Sequence, residues 1–495
     1  MTANDNFSAT FVSALEPTVL WRHFDHILAI PRGSKNEEGM RQYVRSVAAA
    51  HNLTATTDAA GNVVVRIPAT PGREKAAPLA LQSHLDMVCE KNSDVTFDFA
   101  VDAIRPRRDG DYLYATGTTL GADNGIGVAA MLALVESPEV VHGPLELLFT
   151  FDEETGLTGA AELDPRSLTA KRLLNLDTEE EYALYVGCAG GAGTDLAIPL
   201  ETMFGAEGLT ALALRLTGFK GGHSGVDIHL QRGNAISLLA RALQALWREF
   251  QFEVARIEGG NMHNAIPREA TALVRVASGE AARFESALAA QVATIADELA
   301  GVEEGVRIEV STAAASDVPA DVWADSTTAR VLALLVALPH GVLAMSRDIP
   351  GLVETSTNLA KVRTEGLVLR IHQSNRSSVM SSLRATQQRI AAFADLAGGE
   401  ATQSEGYPGW KPDMGSALLA TLREVHSATF GKAPEVKAIH AGLECGLIGE
   451  KFPGMDMSSF GPQIEFPHSP DERVLIPSVG RFWQLLTATL AALSA

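Results

Sequence analysis

Leu147-Leu-Phe-Thr-Phe-Asp-Glu-Glu-Thr-Gly156 is the stretch that decides the fold class of this chain. Its mostly apolar start ends abruptly in three acids and then a glycine. An apolar run of this length bounded by a turn is a buried strand. The strand carries Asp152, Glu153 and Glu154 to the rim of a sheet, and open α/β sheets bind ligands beyond the carboxyl ends of their strands. Adjacent carboxylates there repel unless a cation or a shared proton compensates. The pattern predicts that Glu154 binds metal and Glu153 handles protons; the alternative is a solvated acidic turn.

Outward from this strand, further apolar runs end in polar residues. Asn62-Val-Val-Val-Arg-Ile67, Pro78-Leu-Ala-Leu-Gln-Ser-His-Leu-Asp86 and Arg172-Leu-Leu-Asn-Leu-Asp177 read as strands. Helical spacing covers residues 17–50 in two pieces, and a helix over Val128–Ser137 is opened by the glycine loop before it. Alternating strands and helices predict an α/β domain with a mixed sheet covered on both faces. The character changes near residue 205. Leu209–Thr217 alternates apolar and polar residues, as a half-buried strand does. Helices then follow over 234–250, 280–299, 327–338 and 379–396, with strands between them. The expected organisation is a first domain part over 1–205, an inserted α+β domain of two antiparallel units over 206–398, and the resumed first domain over 399–495.

Charge and cysteine content narrow the function classes. Sixty acidic residues against forty basic ones give a net charge of −20, which argues against nucleic acid and anionic membranes as partners. Cys89, Cys188 and Cys445 are too few and too scattered for a disulfide framework or a thiolate-rich zinc site, which points to a reducing, cytoplasmic setting. Met1-Thr-Ala-Asn-Asp-Asn-Phe7 lacks the basic-then-apolar pattern of a signal peptide. No apolar run reaches the ~18 residues that a membrane span needs.

The polar residues at the strand ends form a constellation: His84 and Asp86, Asp123, Glu153 and Glu154, and Asp177. Phe466-Pro-His-Ser-Pro470 adds His468. Imidazoles and carboxylates without thiolates suit zinc, manganese or cobalt. Two such cations ~3.5–4 Å apart, bridged by a carboxylate, are a common hydrolytic arrangement. His84 and Asp86 stand two apart on an extended segment and share a side, so Asp86 can take the second ring N–H of His84 and fix its tautomer. Asp123 sits between Gly121 and Gly125 at a turn opening a helix, where glycine lets backbone approach closely. That loop lacks both the lysine of a P-loop and the spacing of a dinucleotide fingerprint.

Ser83-His-Leu-Asp86, Gly121-Ala-Asp-Asn-Gly125, Asp152-Glu-Glu-Thr-Gly156 and Asn175-Leu-Asp177 occur in the order and rough spacing of the di-zinc peptidases that include carnosinase, aminoacylase and succinyl-diaminopimelate desuccinylase. Within that superfamily, His440-Ala-Gly-Leu-Glu-Cys-Gly-Leu447 and Phe466-Pro-His-Ser-Pro470 resemble the bacterial aminoacyl-histidine dipeptidases, and the resemblance spans essentially the whole chain. It implies a mixed-sheet catalytic domain with an inserted lid and two Zn2+ per subunit, Co2+ or Mn2+ being alternatives. His84 and Asp177 would hold one ion, Glu154 and His468 the other, and Asp123 would bridge them. Asp86 would orient His84, and Glu153 would be the general base.

The same resemblance assigns roles within the insert. Lys220-Gly-Gly-His-Ser-Gly-Val-Asp227 is similar to a lid motif whose histidine, here His223, reaches the reacting carbonyl. Gly259-Gly-Asn-Met-His-Asn-Ala-Ile-Pro267 implies a substrate contact for Asn264. Ser374-Asn-Arg-Ser-Ser378 implies that Arg376 grips the substrate carboxylate by a bidentate fork. Glu444 would receive the free amino group. The expected activity is hydrolysis of Xaa-His and other dipeptides by a cytoplasmic homodimer, with small peptides as substrates. An N-acyl amino acid amidohydrolase and a non-catalytic metal-binding scaffold are the alternatives. The insert is large enough to be a doubled lid, which leaves open whether His223 acts in cis or in trans.

Overall fold

Leu145–Thr150 and Leu79–His84 are buried along their whole length. Strands covered on both faces carry continuous apolar runs and pair in parallel. These two pair in parallel register, with His84 beside Thr150, and Arg172–Asn175 joins on the other side of Leu79–His84. Asp456–Ser459 continues the parallel set. Thr54–Thr57, Val63–Ile67 and Ala183–Cys188 pair antiparallel, and the eight-stranded mixed sheet has the order Thr54–Thr57, Val63–Ile67, Leu145–Thr150, Leu79–His84, Arg172–Asn175, Asp456–Ser459, Ala183–Cys188, Glu435–Ile439. Two of the expected strands stop early, at His84 and Asn175. Asp86 and Asp177 thus lie just beyond the sheet, where the backbone is free to turn.

The computed structural model describes residues 8–495; the Met1–Phe7 segment, read above for a leader pattern, lies outside the described residues. Against the sheet packs the helix Ala122–Val135, buried from Ala122 through Leu134. It begins six residues before the expected start. Gly121 sits at its N-cap with φ 72°, and Asp123 and Asn124 keep non-helical dihedrals within its first turn. Gly127 shows how closely helix and sheet approach. A Cβ there would stand 2.5 Å from Ser83 Oγ and 2.9 Å from the Leu176 carbonyl. A small four-stranded sheet of Ile464–Glu465, Arg473–Leu475, Tyr112–Ala115 and Pro106–Asp109 presents the loop that carries His468.

The chain divides into two units. The first takes residues through Gly187, Trp410–Ala438 and Leu443–Ala495; the second takes Cys188–Gly409 and Ile439–Gly442. The expected insert boundaries at 206 and 398 therefore move outward. The reason is hydrogen bonding: Gly190–Pro199 pairs along its length with Val368–Ser377, and Glu400–Gln403 pairs on its other edge. Both segments are strands of the second unit rather than parts of the first domain.

The second unit is built on a nine-stranded antiparallel sheet. One half comprises Arg307–Thr312, Leu209–Thr217, Ala270–Ala277 and Phe252–Gly259. The other comprises Val353–Glu365, Val368–Ser377, Gly190–Pro199 and Glu400–Gln403, with Gly341–Met345 paired to the first of these. The halves meet at a single pair, Gly259 with Val362. Ala235–Trp247, Ala281–Glu298, Asp325–Ala337 and Met380–Leu396 cover the sheet through a shared apolar core that includes Leu239, Phe284, Leu335 and Ile390. Among the described residues no helix is long and apolar enough to cross a membrane.

Candidate metal centre

The parallel strand ends bring together the residues that the sequence singles out. His84 Nε2 lies 3.1 Å from Asp123 Oδ1 and 3.3 Å from Asp177 Oδ1. His468 Nε2 lies 3.1 Å from Asp123 Oδ2 and 3.0 Å from Glu154 Oε2. Asp123 thus turns one carboxylate oxygen to each histidine. His468 is held in the left-handed region at φ 60°, a conformation that costs a non-glycine residue energy and clusters at functional sites. Asp86 supports the group from beneath. It accepts hydrogen bonds from the Glu153 N–H (3.0 Å), the Glu154 N–H (3.2 Å) and the Ser34 hydroxyl (2.7 Å). His84 Nδ1 stands 3.4 Å from Asp86 Oδ1, on the side opposite Asp123.

The electrostatics of the cluster are those of acids crowded out of water. Burial disfavours the His84 imidazolium, but Asp177, Asp123 and Asp86 outweigh it and hold its pKa well above the usual value. The carboxylates of Asp123 and Glu154 raise His468 to about 11. Burial pushes the Glu153 carboxyl well above the usual carboxylate range; His84 opposes this, and Asp177, Glu154 and Glu444 add to it. Burial likewise takes Asp177 to about 7. Glu179, two residues on, is carried to about 9 by burial and by Asp123 and Asp177.

Such a cluster has the donors a cation needs. His84, Asp123 and Glu154 each offer a ligand atom, and these atoms all lie within 4.8 Å of one another. Glu154 Oε1 is buried without a hydrogen-bond partner. Buried polar atoms in folded proteins are nearly always paired, and an unpaired carboxylate oxygen in this group fits a cation. Nitrogen and oxygen donors without sulfur fit zinc, manganese or cobalt. The residues present therefore fit a metal centre.

A buried polar network holds the strand ends in place. Glu444 Oε2 accepts from Gln82 Nε2 (2.6 Å) and the Thr150 hydroxyl (2.8 Å), tying two parallel strands together. The Asn175 amide donates to Gln82 Oε1 at 2.6 Å, which adds the third. Glu444 is fully buried, and its other oxygen, Oε1, has no hydrogen-bond partner. Burial raises its pKa to about 8.

The second unit assembles its own polar group. The short strand Gly222–His223 pairs with Ala265–Ile266, and the Ser224 N–H donates to the Asn264 carbonyl at 2.8 Å, so His223 and Asn264 are neighbours. His223 Nδ1 accepts the N–H groups of Gly225 (3.2 Å) and Val226 (3.0 Å). A nitrogen that accepts carries no proton, so the neutral ring presents N–H at Nε2. Burial, and then Arg376, lower the pKa of His223 and favour that neutral form. Gly225 marks where three residues converge. A Cβ there would lie 2.3 Å from the His440 carbonyl oxygen, 3.1 Å from Arg376 Nε and 3.1 Å from His223 Cε1. Arg376 donates to the Tyr407 hydroxyl at 3.0 Å. A cavity of about 830 Å3 opens beside His223 and Asn264, with Lys220, Arg268 and Arg363 in its wall.

Sequence reasoning missed Gln82, Thr150, Tyr407 and the role of His440, whose Nε2 lies 2.7 Å from the Ser356 hydroxyl. The signal was slight in each case: a polar residue inside an apolar strand, or an aromatic one in a glycine-rich loop.

The family model of peptidase family M20/M25/M40 matches residues 80–492, and the chain belongs to that family. It is an enzyme of the peptidase class, with the expected fold of a mixed-sheet domain and an inserted α+β domain. Over 484 residues it is 40% identical to the cytosol non-specific dipeptidase of Escherichia coli (strain K12), a match covering 98% of this chain and 99% of that protein. The aminoacylhistidine dipeptidase of Vibrio alginolyticus, also 40% identical, superposes with a TM-score of 0.91 over 98% of each chain. The aminopeptidase PepT of Bacillus cereus, 16% identical with a TM-score of 0.56 over 97% of this chain and 100% of its own, shares the fold.

Proposed function

We propose that this metal-dependent dipeptidase hydrolyses Xaa-His and other dipeptides at a two-zinc centre, with Co2+ or Mn2+ able to substitute. The observation that carries this is the carboxylate of Asp123, which faces His84 with one oxygen and His468 with the other at 3.1 Å each. His84 and Asp177 are assigned to one ion, Glu154 and His468 to the second, and Asp123 to both. Bound there, two cations would supply Lewis acidity and bring the pKa of water toward ~7.

The chain's own groups then divide the work. Glu153 has no ligand role; it takes the proton of the attacking water and passes it to the leaving amine. Its burial supports this, because removal from water raises the Glu153 carboxyl above the usual carboxylate range and so strengthens it as a base. Asp86 positions His84 and the Glu153–Glu154 turn. His223 is assigned the oxyanion donor, which its Nε2–H tautomer supports. Arg376 is assigned to the substrate carboxylate and Asn264 to a further substrate contact. Glu444 is assigned to the free amino group through its unpartnered Oε1. The acidic composition and the few cysteines support a cytoplasmic enzyme without nucleic acid or membrane partners. We assign it a homodimeric state, which sedimentation would test.

The deciding experiment measures hydrolysis of β-Ala-His, Gly-His, Ala-Ala and an N-acetyl amino acid by chelated and zinc-restored protein, beside Glu153→Ala. Zinc-dependent cleavage of the dipeptides alone, lost in the variant, is expected. Cleavage of only the acetylated substrate would replace this function by the amidohydrolase and remove Glu444 from its role. No cleavage by folded, zinc-loaded protein would leave the non-catalytic scaffold.

A further inference from the structure

Glu472 follows His468 by four residues and is 2% exposed. Its carboxylate accepts four consecutive backbone N–H groups. Oε2 takes those of Leu120 (2.7 Å) and Gly121 (2.8 Å), and Oε1 takes those of Ala122 (2.8 Å) and Asp123 (3.3 Å). These amides lie at the start of the helix Ala122–Val135, where a helix leaves its N–H groups without intrahelical partners. The Gly121 cap itself offers no side chain to them. On the same loop Arg32, also 2% exposed, works with the opposite charge. Its Nη1 donates to the carbonyls of Leu85 (3.0 Å) and Asp86 (2.7 Å), and its Nη2 donates to the carbonyl of Gly121. Gly121 is thus held by its N–H on a carboxylate and by its C=O on a guanidinium.

An ordinary helix cap needs one neutral oxygen from a serine or asparagine next door. Here the chain instead buries a carboxyl group and a guanidinium around six residues, which is costly unless both are completely paired. The residues so held are those on either side of the Asp123 carboxylate and behind His84. The turn that brings Glu472 in is closed by its own N–H on the Ser469 carbonyl at 3.0 Å, and the same turn delivers His468.

We infer that Glu472 and Arg32 are positioning residues that set where the Asp123 carboxylate stands between His84 and His468. Glu472 couples the Asp123 loop to the His468 turn, and Arg32 couples it to the His84–Asp86 segment. The inference rests on the two-metal assignment above.

The test uses the full chain carrying Glu472→Gln and, separately, Glu472→Asp. Zinc affinity and stoichiometry are read by competition with a chromophoric chelator. The kcat and KM for a dipeptide and the urea midpoint of the metal-free protein are measured alongside. An amide nitrogen cannot accept, so Glu472→Gln leaves two of the four N–H groups without a partner. Removal of such supporting contacts typically costs ~10–100-fold in metal affinity. The expected result is that loss at one zinc site, a lower kcat with KM within ~2-fold, and partial recovery of kcat as free zinc is raised. Glu472→Asp, which keeps the charge, should lie between. Wild-type zinc affinity and kcat in Glu472→Gln, whatever its urea midpoint, would overturn the inference and reduce Glu472 to a structural cap. Should Glu472→Gln not fold, Glu472→Asp and Arg32→Lys are read by the same criterion. A wild-type chain that binds fewer than two zinc ions would overturn the two-metal assignment, and this inference with it. Two ions in the wild type and an unaffected variant would overturn the inference alone.

Discussion

Replacing Asp86 by asparagine tests how the site is supported, because the change is nearly isosteric and the contacts are specific. Asp86 is fully buried and accepts from Glu153 N–H, Glu154 N–H and Ser34 O–H. An asparagine keeps one oxygen. If its nitrogen replaces Oδ2, Ser34 can rotate to accept, but the Glu154 N–H cannot. If it replaces Oδ1, the Glu153 N–H loses its acceptor, and the ring nitrogen of His84 at 3.4 Å faces a donor. Either way one buried backbone N–H is left unpaired, which costs ~1–3 kcal/mol. The metal site loses the charge behind His84, and such partners are typically worth ~10–100-fold in affinity, or about 1.4–2.7 kcal/mol. We therefore expect Asp86→Asn to lower the urea stability of metal-free protein by ~1–3 kcal/mol and to weaken one zinc site by the stated factor. Chelator competition and urea unfolding measure the two effects separately. Zinc affinity within ~2-fold of wild type would refute the idea that Asp86 acts through His84.

Glu153→Gln should lower kcat by ~10²-fold or more with both zinc ions retained; loss of a zinc ion on the same change would make Glu153 a ligand instead. His223→Ala should cost ~10²–10³-fold in kcat with little change in KM, and an unaltered kcat would remove the oxyanion role. Gly127→Ala places a Cβ 2.5 Å from Ser83 Oγ, so calorimetry should show a destabilisation of ~1–3 kcal/mol. Burial, reinforced by Arg22, lowers the pKa of His23 to about 3. Between that value and ~6.5 the unfolded chain binds a proton that the folded chain refuses, so stability falls as pH drops through this window. The expected slope is up to ~1.4 kcal/mol per pH unit. Between pH 7 and 5 the urea midpoint of wild type should fall more steeply than that of His23→Phe, and parallel curves would refute the assignment.

The strands and helices were legible wherever one period ran unbroken. Leu209–Thr217 was read to the residue because it alternates, whereas the apolar run found the buried strand Leu79–His84 but carried it past its end to Asp86. The start of Ala122–Val135 was missed because Asn124, Gly125 and Gly127 are poor helix formers, and only close packing on Ser83 explains the glycine. The strand Gly190–Pro199 was missed for a related reason. Its glycines carry no strand pattern, yet they are small because Tyr407 crosses them; a Cβ at Gly191 would meet its ring at 2.7 Å. The candidate ligands were legible because acids and histidines are conspicuous at the ends of apolar runs. Their supports were not: Arg32, Gln82 and Glu472 act on residues distant in sequence, through backbone atoms that composition does not reveal.

The order of the chain also governs when the site can exist. His84, Asp123, Glu154 and Asp177 come from the first part of the first unit, whereas the strand Asp456–Ser459 and His468 follow the whole insert. About 290 residues separate Asp177 from His468. At ~5–20 residues per second, a ribosome needs roughly 15–60 s to cover that distance. During that interval the nascent chain displays four acidic or imidazole groups on a sheet that still lacks one interior strand. A newborn chain can thus hold at most part of the proposed centre until the segment that carries His468 has been made.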